Sequence, residues 1–116
     1  MDIRLRRVYE PMADDDGTRL LVDRLWPRGV AKAKLPGVTW LKAIAPSDAL
    51  RGSFAHQPGK YDEFRRRYFA ELDANPDAVA ELRALAGQGR VTLLYAARDE
   101  AHNNAMALRE YLRETA

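Results

Sequence analysis

One stretch constrains the fold of this chain more than any other. The apolar run Val-Thr-Leu-Leu-Tyr-Ala-Ala over residues 91–97 ends in a polar, charged turn. A short run that is apolar at consecutive positions is typical of a strand covered on both faces. Helical spacing follows the turn, with Ala105, Leu108 and Leu112 on one stripe. A buried strand that leads through a polar turn into a helix indicates an open α/β sheet, and such sheets place ligands at that turn.

Two earlier runs predict strands near residues 3–9 and 18–25, because both are rich in apolar residues and the first nearly alternates them with arginines. The sequence Asp14-Asp15-Asp16-Gly17 between them is a turn signal. About eight residues separate the two runs. That is short for a crossover between parallel strands, so the residues alone predict a hairpin.

Apolar residues at helical spacing and capping residues predict five helices. Their expected ranges are 38–44, 48–54, 60–74, 76–86 and 100–114. Ser47 is the expected N-cap of the second helix and Asp99 that of the last. We expect five large apolar residues to be buried together: Phe64, Leu82, Leu93, Leu94 and Leu108. The predicted fold class is therefore α/β: one domain over residues 1–116, three-layer-like, with about three core strands flanked by about five helices.

The composition excludes several kinds of protein. The chain has no cysteine, which removes disulfides, thiolate chemistry and cysteine-ligated zinc and fits a cytoplasmic location. No apolar run approaches the roughly 18 residues that cross a membrane, and the first residues lack the apolar core of a signal peptide. We therefore expect no membrane partner. No Walker motif and no G-x-G-x-x-G after a strand are present, so the sequence indicates no nucleotide cofactor of the usual kinds.

The charge is unevenly distributed, although the net charge is only +2. Residues 1–67 carry 14 of the 19 basic residues but only 9 of the 17 acidic ones, and arginine outnumbers lysine 15 to 4. This bias is either a habit of the source genome or a means of recognising anions, which the planar guanidinium suits well.

The first candidate site follows the second strand, in the string Asp23-Arg24-Leu25-Trp26-Pro27-Arg28-Gly29. One interpretation is a buried Asp–Arg pair with Trp26 filling the core. The other is an anion pocket with an aromatic wall. The candidate ligand-binding residues are Asp23, Arg24, Trp26, Arg28, Arg51 and Asn103.

The second candidate site follows the last strand. Asp99 and His102 are three residues apart at a helix start, so both can face one crevice. They are the candidate catalytic residues, with the carboxylate fixing the tautomer of an acid–base imidazole. Alternatively, Asp99 is only a helix cap and His102 a polar surface residue. A metal site lacks a third ligand, because His56 is the only other histidine, and none is predicted.

The order of these strings resembles the YeaO-like proteins, an uncharacterised bacterial family built on domain of unknown function 488. The matching strings include Leu21–Val30, Phe64–Tyr68 and Leu93–Ala97, the last followed by Asp99, His102 and Asn103. The resemblance covers nearly the whole chain. It implies a compact cytosolic α/β domain and first strands that lie parallel, and it supplies no established activity or cofactor. Longer relatives carry a Cys-His-Arg-like element where this chain has Ala101-His102-Asn103, so a thiol mechanism is not expected here.

Two functions remain open from the sequence. The first is a crevice at the strand ends that binds a small anion or another small molecule, with or without acid–base, hydrolase or transferase chemistry. In that case the polar residues after the second and last strands converge, which requires parallel strands. The alternative is a non-catalytic interaction module that binds an acidic protein or nucleic acid through its basic N-terminal part.

Overall fold

The computed structural model describes residues 1–115. Within these residues four strands are present: β1 (Ile3–Arg7), β2 (Thr18–Leu21), β3 (Thr39–Trp40) and β4 (Val91–Tyr95). Four α-helices accompany them: α1 (Asp48–Phe54), α2 (Tyr61–Asp73), α3 (Pro76–Gly87) and α4 (Asn104–Glu114). Short 3₁₀ turns occupy Lys32–Lys34, Lys42–Ile44 and Pro58–Lys60. The predicted α/β class is confirmed, with one strand more and one helix fewer than expected.

The strands form one parallel sheet in the order β1-β4-β2-β3. The last strand in the sequence thus lies at the centre, where Leu93 is in register with Leu5 on one side and Leu20 on the other. All five residues of β4 are buried. The expectation that this apolar run forms a central strand is confirmed.

The predicted hairpin between the first two strands is wrong, because β4 lies between β1 and β2. Ten residues join Arg7 to Thr18, and an extended link of that length spans up to about 33 Å. That is enough to return along the sheet and pass one intervening strand without a helix.

Thr18 N, at the start of β2, donates to the backbone oxygen of Arg90 at 3.0 Å. Gly17 has a φ of +68°, and a Cβ there would lie 2.2 Å from that oxygen, so glycine is required.

The acidic turn before β2 is held by two arginines. Asp16 is fully buried, and its carboxylate lies 2.8 Å from Arg6 and 2.9 Å from Arg19. Burial opposes ionisation of Asp16, but the Ala13 N–H and Arg19 lower the pKa of its carboxyl below the ordinary value. This ionic cluster anchors the link between β1 and β2.

All four helices pack against one face of the sheet, so the layers differ from the three-layer-like expectation. The larger core joins strand residues to helix residues. It includes Leu20, Val22, Leu93, Phe64, Tyr68, Leu82 and Leu108. Loops cover the other face around a smaller cluster of Val8, Leu21, Leu35 and Leu94. Of the five residues expected to be buried together, Leu94 therefore lies in the other cluster, because neighbouring side chains of a strand point to opposite faces.

The predicted helix over 38–44 is also wrong. Thr39 and Trp40 form the edge strand β3, in register with Leu20 and Leu21, and only a 3₁₀ turn follows. Trp40 Nε1 donates to the backbone oxygen of Asp23 at 2.8 Å. The apolar spacing in this segment thus comes from packing beside β2.

The helices predicted over 48–54, 60–74 and 76–86 are present, and Ser47 accepts the capping hydrogen bond from Leu50 N. No helix in the described part of the chain combines the length and apolar character needed to cross a membrane.

Candidate functional site

A cavity of about 850 Å³ opens at the carboxyl edge of the sheet. Most of its lining comes from three segments, residues 23–28 after β2, residues 46–56 around α1 and residues 96–104 after β4, together with Tyr9 and Phe64. Parallel strands end at the same edge, so side chains that follow β2 and β4 meet there.

The cavity brings together seven of the eight candidate site residues. Those that line it are Asp23, Arg24, Trp26, Arg28, Arg51, Asp99 and Asn103. His102 is the exception among them. The other lining residues were not among the candidates, and the polar ones include His56, Arg98 and Asn104. Arg98 directly follows the predicted strand over 91–97, and its charge at that position could have marked it as a ligand-binding candidate. Nothing in the sequence shows which groups Asn104 contacts.

Asp23 is held at the end of β2 by neutral donors. Its Oδ2 accepts from Ala96 N at 2.9 Å and its Oδ1 from Asn104 Nδ2 at 3.0 Å. The Asp23 side chain accepts the Ala96 N–H in place of a backbone oxygen, and β2 ends at Leu21 instead of reaching the predicted residue 25. Burial raises the pKa of Asp23, and the hydrogen bonds from Asn104 and Ala96 oppose that rise. No cationic nitrogen of residues 1–115 lies within 4.0 Å of its carboxylate, so the Asp–Arg pair of the first interpretation does not form.

The four arginines of the cavity differ in how many of their donors are occupied. Arg24 donates to the backbone oxygens of Pro46 and Ala45 at 3.3 and 3.1 Å. Arg51 donates to Asp48 at 2.7 Å. The exposed guanidinium groups of Arg28 and Arg98 neither donate a hydrogen bond nor form an ion pair within the described chain. Arg28 and Arg98 therefore have free donors beside the cavity.

Trp26 serves the smaller core and the cavity at once. Its Nε1 donates to the backbone oxygen of Val30 at 2.5 Å, and its ring lies edge-on to Trp40 with centroids 5.5 Å apart. It packs against the loop-covered face of the sheet and also lines the cavity. Both interpretations of this residue, core packing and an aromatic cavity wall, are compatible with that position.

The N-cap of the last helix is Asn103, which corrects the assignment of Asp99 and moves the start of the helix from residue 100 to Asn104. Asn103 Oδ1 accepts from Met106 N at 2.8 Å, and Nδ2 donates to the backbone oxygen of Asp99 at 3.0 Å. Asn103 is only 1% exposed, so its side chain is engaged in the fold. Asp99 instead closes a separate turn, accepting from Ala101 N and His102 N at 2.9 and 3.1 Å. Short polar side chains favour both such turns and helix N-caps, so Asp99 and Asn103 suit either role.

Asp99 and His102 form the expected pair, with Asp99 Oδ2 2.9 Å from His102 Nδ1. The Ala101 N–H, followed by the bonds from His102, lowers the pKa of Asp99. The imidazole lies edge-on to Tyr61, with centroids 5.1 Å apart, and so is oriented by two neighbours. Within residues 1–115 no group of three or more His, Asp or Glu side chains is placed to hold a metal ion.

Comparison with known proteins places the chain in a family. Residues 2–116 match the family model DUF488-N3i, described as the inactive DUF488-N3 subclade. The chain is 42% identical over 113 residues to the uncharacterized protein YeaO of Escherichia coli (strain K12), covering 97% of this chain and 98% of that one. It is 44% identical over 110 residues to the uncharacterized protein Rv3073c of Mycobacterium tuberculosis (strain ATCC 25618 / H37Rv), covering 95% and 92%. No solved structure matches at a significant level. The chain belongs to the YeaO-like DUF488 family, in the subclade described as inactive.

Proposed function

We propose that the protein binds a small anionic ligand in the cavity at the carboxyl edge of the sheet, without converting it chemically. The observation that carries this proposal is the presence of two exposed guanidinium groups, Arg28 and Arg98, that have no acidic partner within the described chain. Guanidinium groups bind phosphate and carboxylate through short, charge-assisted and often paired hydrogen bonds.

The acidic residues of the cavity do not neutralise these two arginines. Asp48 is paired with Arg51 at 2.7 Å. Asp99 is engaged by its own turn and by His102. Asp23 accepts from neutral donors after β4 and on α4. The positive charge of Arg28 and Arg98 thus stays available to an anion.

Binding without turnover is favoured over catalysis for two reasons. The family description names the subclade inactive. In addition, His102, one half of the predicted acid–base pair, is absent from the described residues that line the cavity. Asp99 and His102 remain a hypothesis for proton transfer, and the proposed binding does not require them.

The test is a titration with inorganic phosphate, followed through backbone amide chemical shifts. Wild-type protein should show saturable shifts at residues 96–99. R28A and R98A should each weaken binding about tenfold to a hundredfold, because a hydrogen bond to a charged group is worth about 1.5–3 kcal/mol. R66A is the matched control: Arg66 is exposed on α2, away from the cavity lining, and should leave the affinity unchanged. Equal affinities in all four proteins, or no saturable shift, would overturn the proposal.

A second candidate function is supported by the lysines. Lys32, Lys34 and Lys42 are exposed, and none lies within 4.0 Å of a carboxylate of residues 1–115. Lys32 and Lys34 lie in the segment that covers the sheet face opposite the helices, where an acidic protein or nucleic acid could dock. Binding to a duplex oligonucleotide at increasing salt discriminates the two functions, since several phosphate contacts make affinity fall steeply with salt concentration. The K32A/K34A variant should bind the oligonucleotide more weakly than the wild type if Lys32 and Lys34 contact it, and equally tightly if they do not.

A further inference from the structure

One wall of the cavity offers hydrogen-bond acceptors. Asp23 accepts one hydrogen bond at each carboxylate oxygen, from Ala96 N and from Asn104 Nδ2. An ionised carboxylate has about four lone-pair sites, so two of them remain. A carboxylate lining a cavity with unused acceptor capacity can accept further donors from a bound molecule.

Asn104 adds a neutral acceptor beside it. Its Nδ2 donates both to the backbone oxygen of Val22 and to Asp23 Oδ1, each at 3.0 Å. Both partners are acceptors, which fixes the orientation of the amide. Its Oδ1 accepts no hydrogen bond from residues 1–115, and Asn104 also lines the cavity. The two side chains together form an acceptor pair at the end of β2.

Within residues 1–115 no cationic nitrogen lies within 4.0 Å of the Asp23 carboxylate to balance this acceptor pair. The Arg24 side chain, which follows Asp23 in sequence, donates to the backbone oxygens of Ala45 and Pro46 instead. Arg51 pairs with Asp48. A ligand that is only an anion would meet repulsion at Asp23, and its binding would leave the acceptors unused. A part-buried polar group left without a partner on ligand binding opposes that binding.

We infer that the ligand carries, besides its anionic group, a nitrogen group that donates hydrogen bonds, and that Asp23 and Asn104 bind this group. Amines, amidines and amide N–H groups have the required chemistry. This inference rests on the proposed anion site, because Arg28 and Arg98 hold the other end of the same molecule. The cavity then selects zwitterionic or amide-bearing anions over simple ones.

The test uses pairs of probes that differ in one group. Alkyl monophosphates of two to six carbons are compared with the same phosphates carrying a terminal amine, by calorimetric titration of the full chain. At least one amine-bearing member should bind about tenfold more tightly than its alkyl partner, the effect expected for one charge-assisted hydrogen bond. In D23N this ratio should fall to about one. D14N is the matched control, since Asp14 is exposed, lies outside the cavity lining and makes no side-chain hydrogen bond or ion pair within the described chain, and its ratio should match that of the wild type.

The outcomes separate this inference from the proposal on which it rests. If phosphate and the alkyl phosphates bind but an added amine brings no gain at any length, the anion site stands and the inference is overturned. If no phosphate compound binds, both fail. The wild-type comparison decides the question even if D23N does not fold. If D23N folds and keeps the amine preference, Asp23 is not the acceptor.

Discussion

The side-chain amide of Asn104 donates to the backbone oxygen of Val22 and to Oδ1 of Asp23, each at 3.0 Å. A single residue of α4 thereby holds the end of β2 and positions the carboxylate that lines the cavity. The helix and the strand are 82 residues apart in sequence at this contact. The shape of the cavity therefore depends on a side chain that no local pattern identifies.

Removing this amide should destabilise the protein. N104A leaves the Val22 oxygen and one oxygen of Asp23 without their donor. Unsatisfied, part-buried acceptors cost about 1–3 kcal/mol. Urea unfolding followed by circular dichroism gives the free energy of unfolding of both proteins. A loss below about 0.5 kcal/mol, as at an ordinary surface position, would show that this contact does not hold the strand end.

The N-cap of α4 gives a second prediction. N103A should lose about 0.5–2 kcal/mol of stability, and N103S should lose less, because serine can still cap. Hydrogen exchange at Met106 N–H reports the cap directly, since that amide donates to Asn103 Oδ1. Exchange there should accelerate in N103A and stay slow in D99A, which removes a turn that precedes the helix. The reverse pattern would restore Asp99 as the cap.

Leu94 provides a test of the smaller core. It is 3% exposed and packs with Val8, Leu21 and Leu35 under the loops. L94A should cost roughly 2–5 kcal/mol, the range for truncation of a buried leucine. Equilibrium unfolding in urea measures it. If L94A unfolds with nearly the wild-type free energy, the loops do not enclose a packed core on that face.

Asp23 should give stability an unusual pH dependence. Its pKa is raised by burial, so the ionised form is less favourable in the folded chain than in the unfolded chain. Protonation therefore favours folding, and the contribution of Asp23 to stability should improve as pH falls through its raised pKa. The difference in unfolding free energy between wild type and D23N should shift in favour of wild type from pH 7 to about pH 4. A shift in the opposite direction would mean that the Asp23 pKa is lowered in the folded protein.

The sequence predicted elements whose signals are local. Ser47 ahead of α1 and the apolar stripe of α2 identified those helices within one residue at each end. Local patterns did not show the parallel arrangement, which only the family resemblance implied, because the position of β4 between β1 and β2 depends on pairing across more than 70 residues. The segment around Trp40 was misread as a helix because its apolar spacing follows from packing at a sheet edge, which periodicity does not distinguish.

In the candidate site too, the sequence predicted the features that depend on neighbouring residues and missed those that depend on long-range contacts. The sequence shows charged residues after the ends of β2 and β4, and residues of both segments line one cavity. The roles of individual polar side chains were not visible. Asp99 and Asn103 are both good capping residues four positions apart, and only the folded geometry decides between them.

The most direct measurement is a crystal structure of the protein soaked with inorganic phosphate. A phosphate should lie in the cavity at the carboxyl edge of the sheet, with its oxygens within hydrogen-bonding distance of the Arg28 and Arg98 guanidinium groups. A cavity that stays empty at saturating phosphate, or phosphate bound only at Lys32, Lys34 and Lys42, would contradict the account and favour the interaction surface.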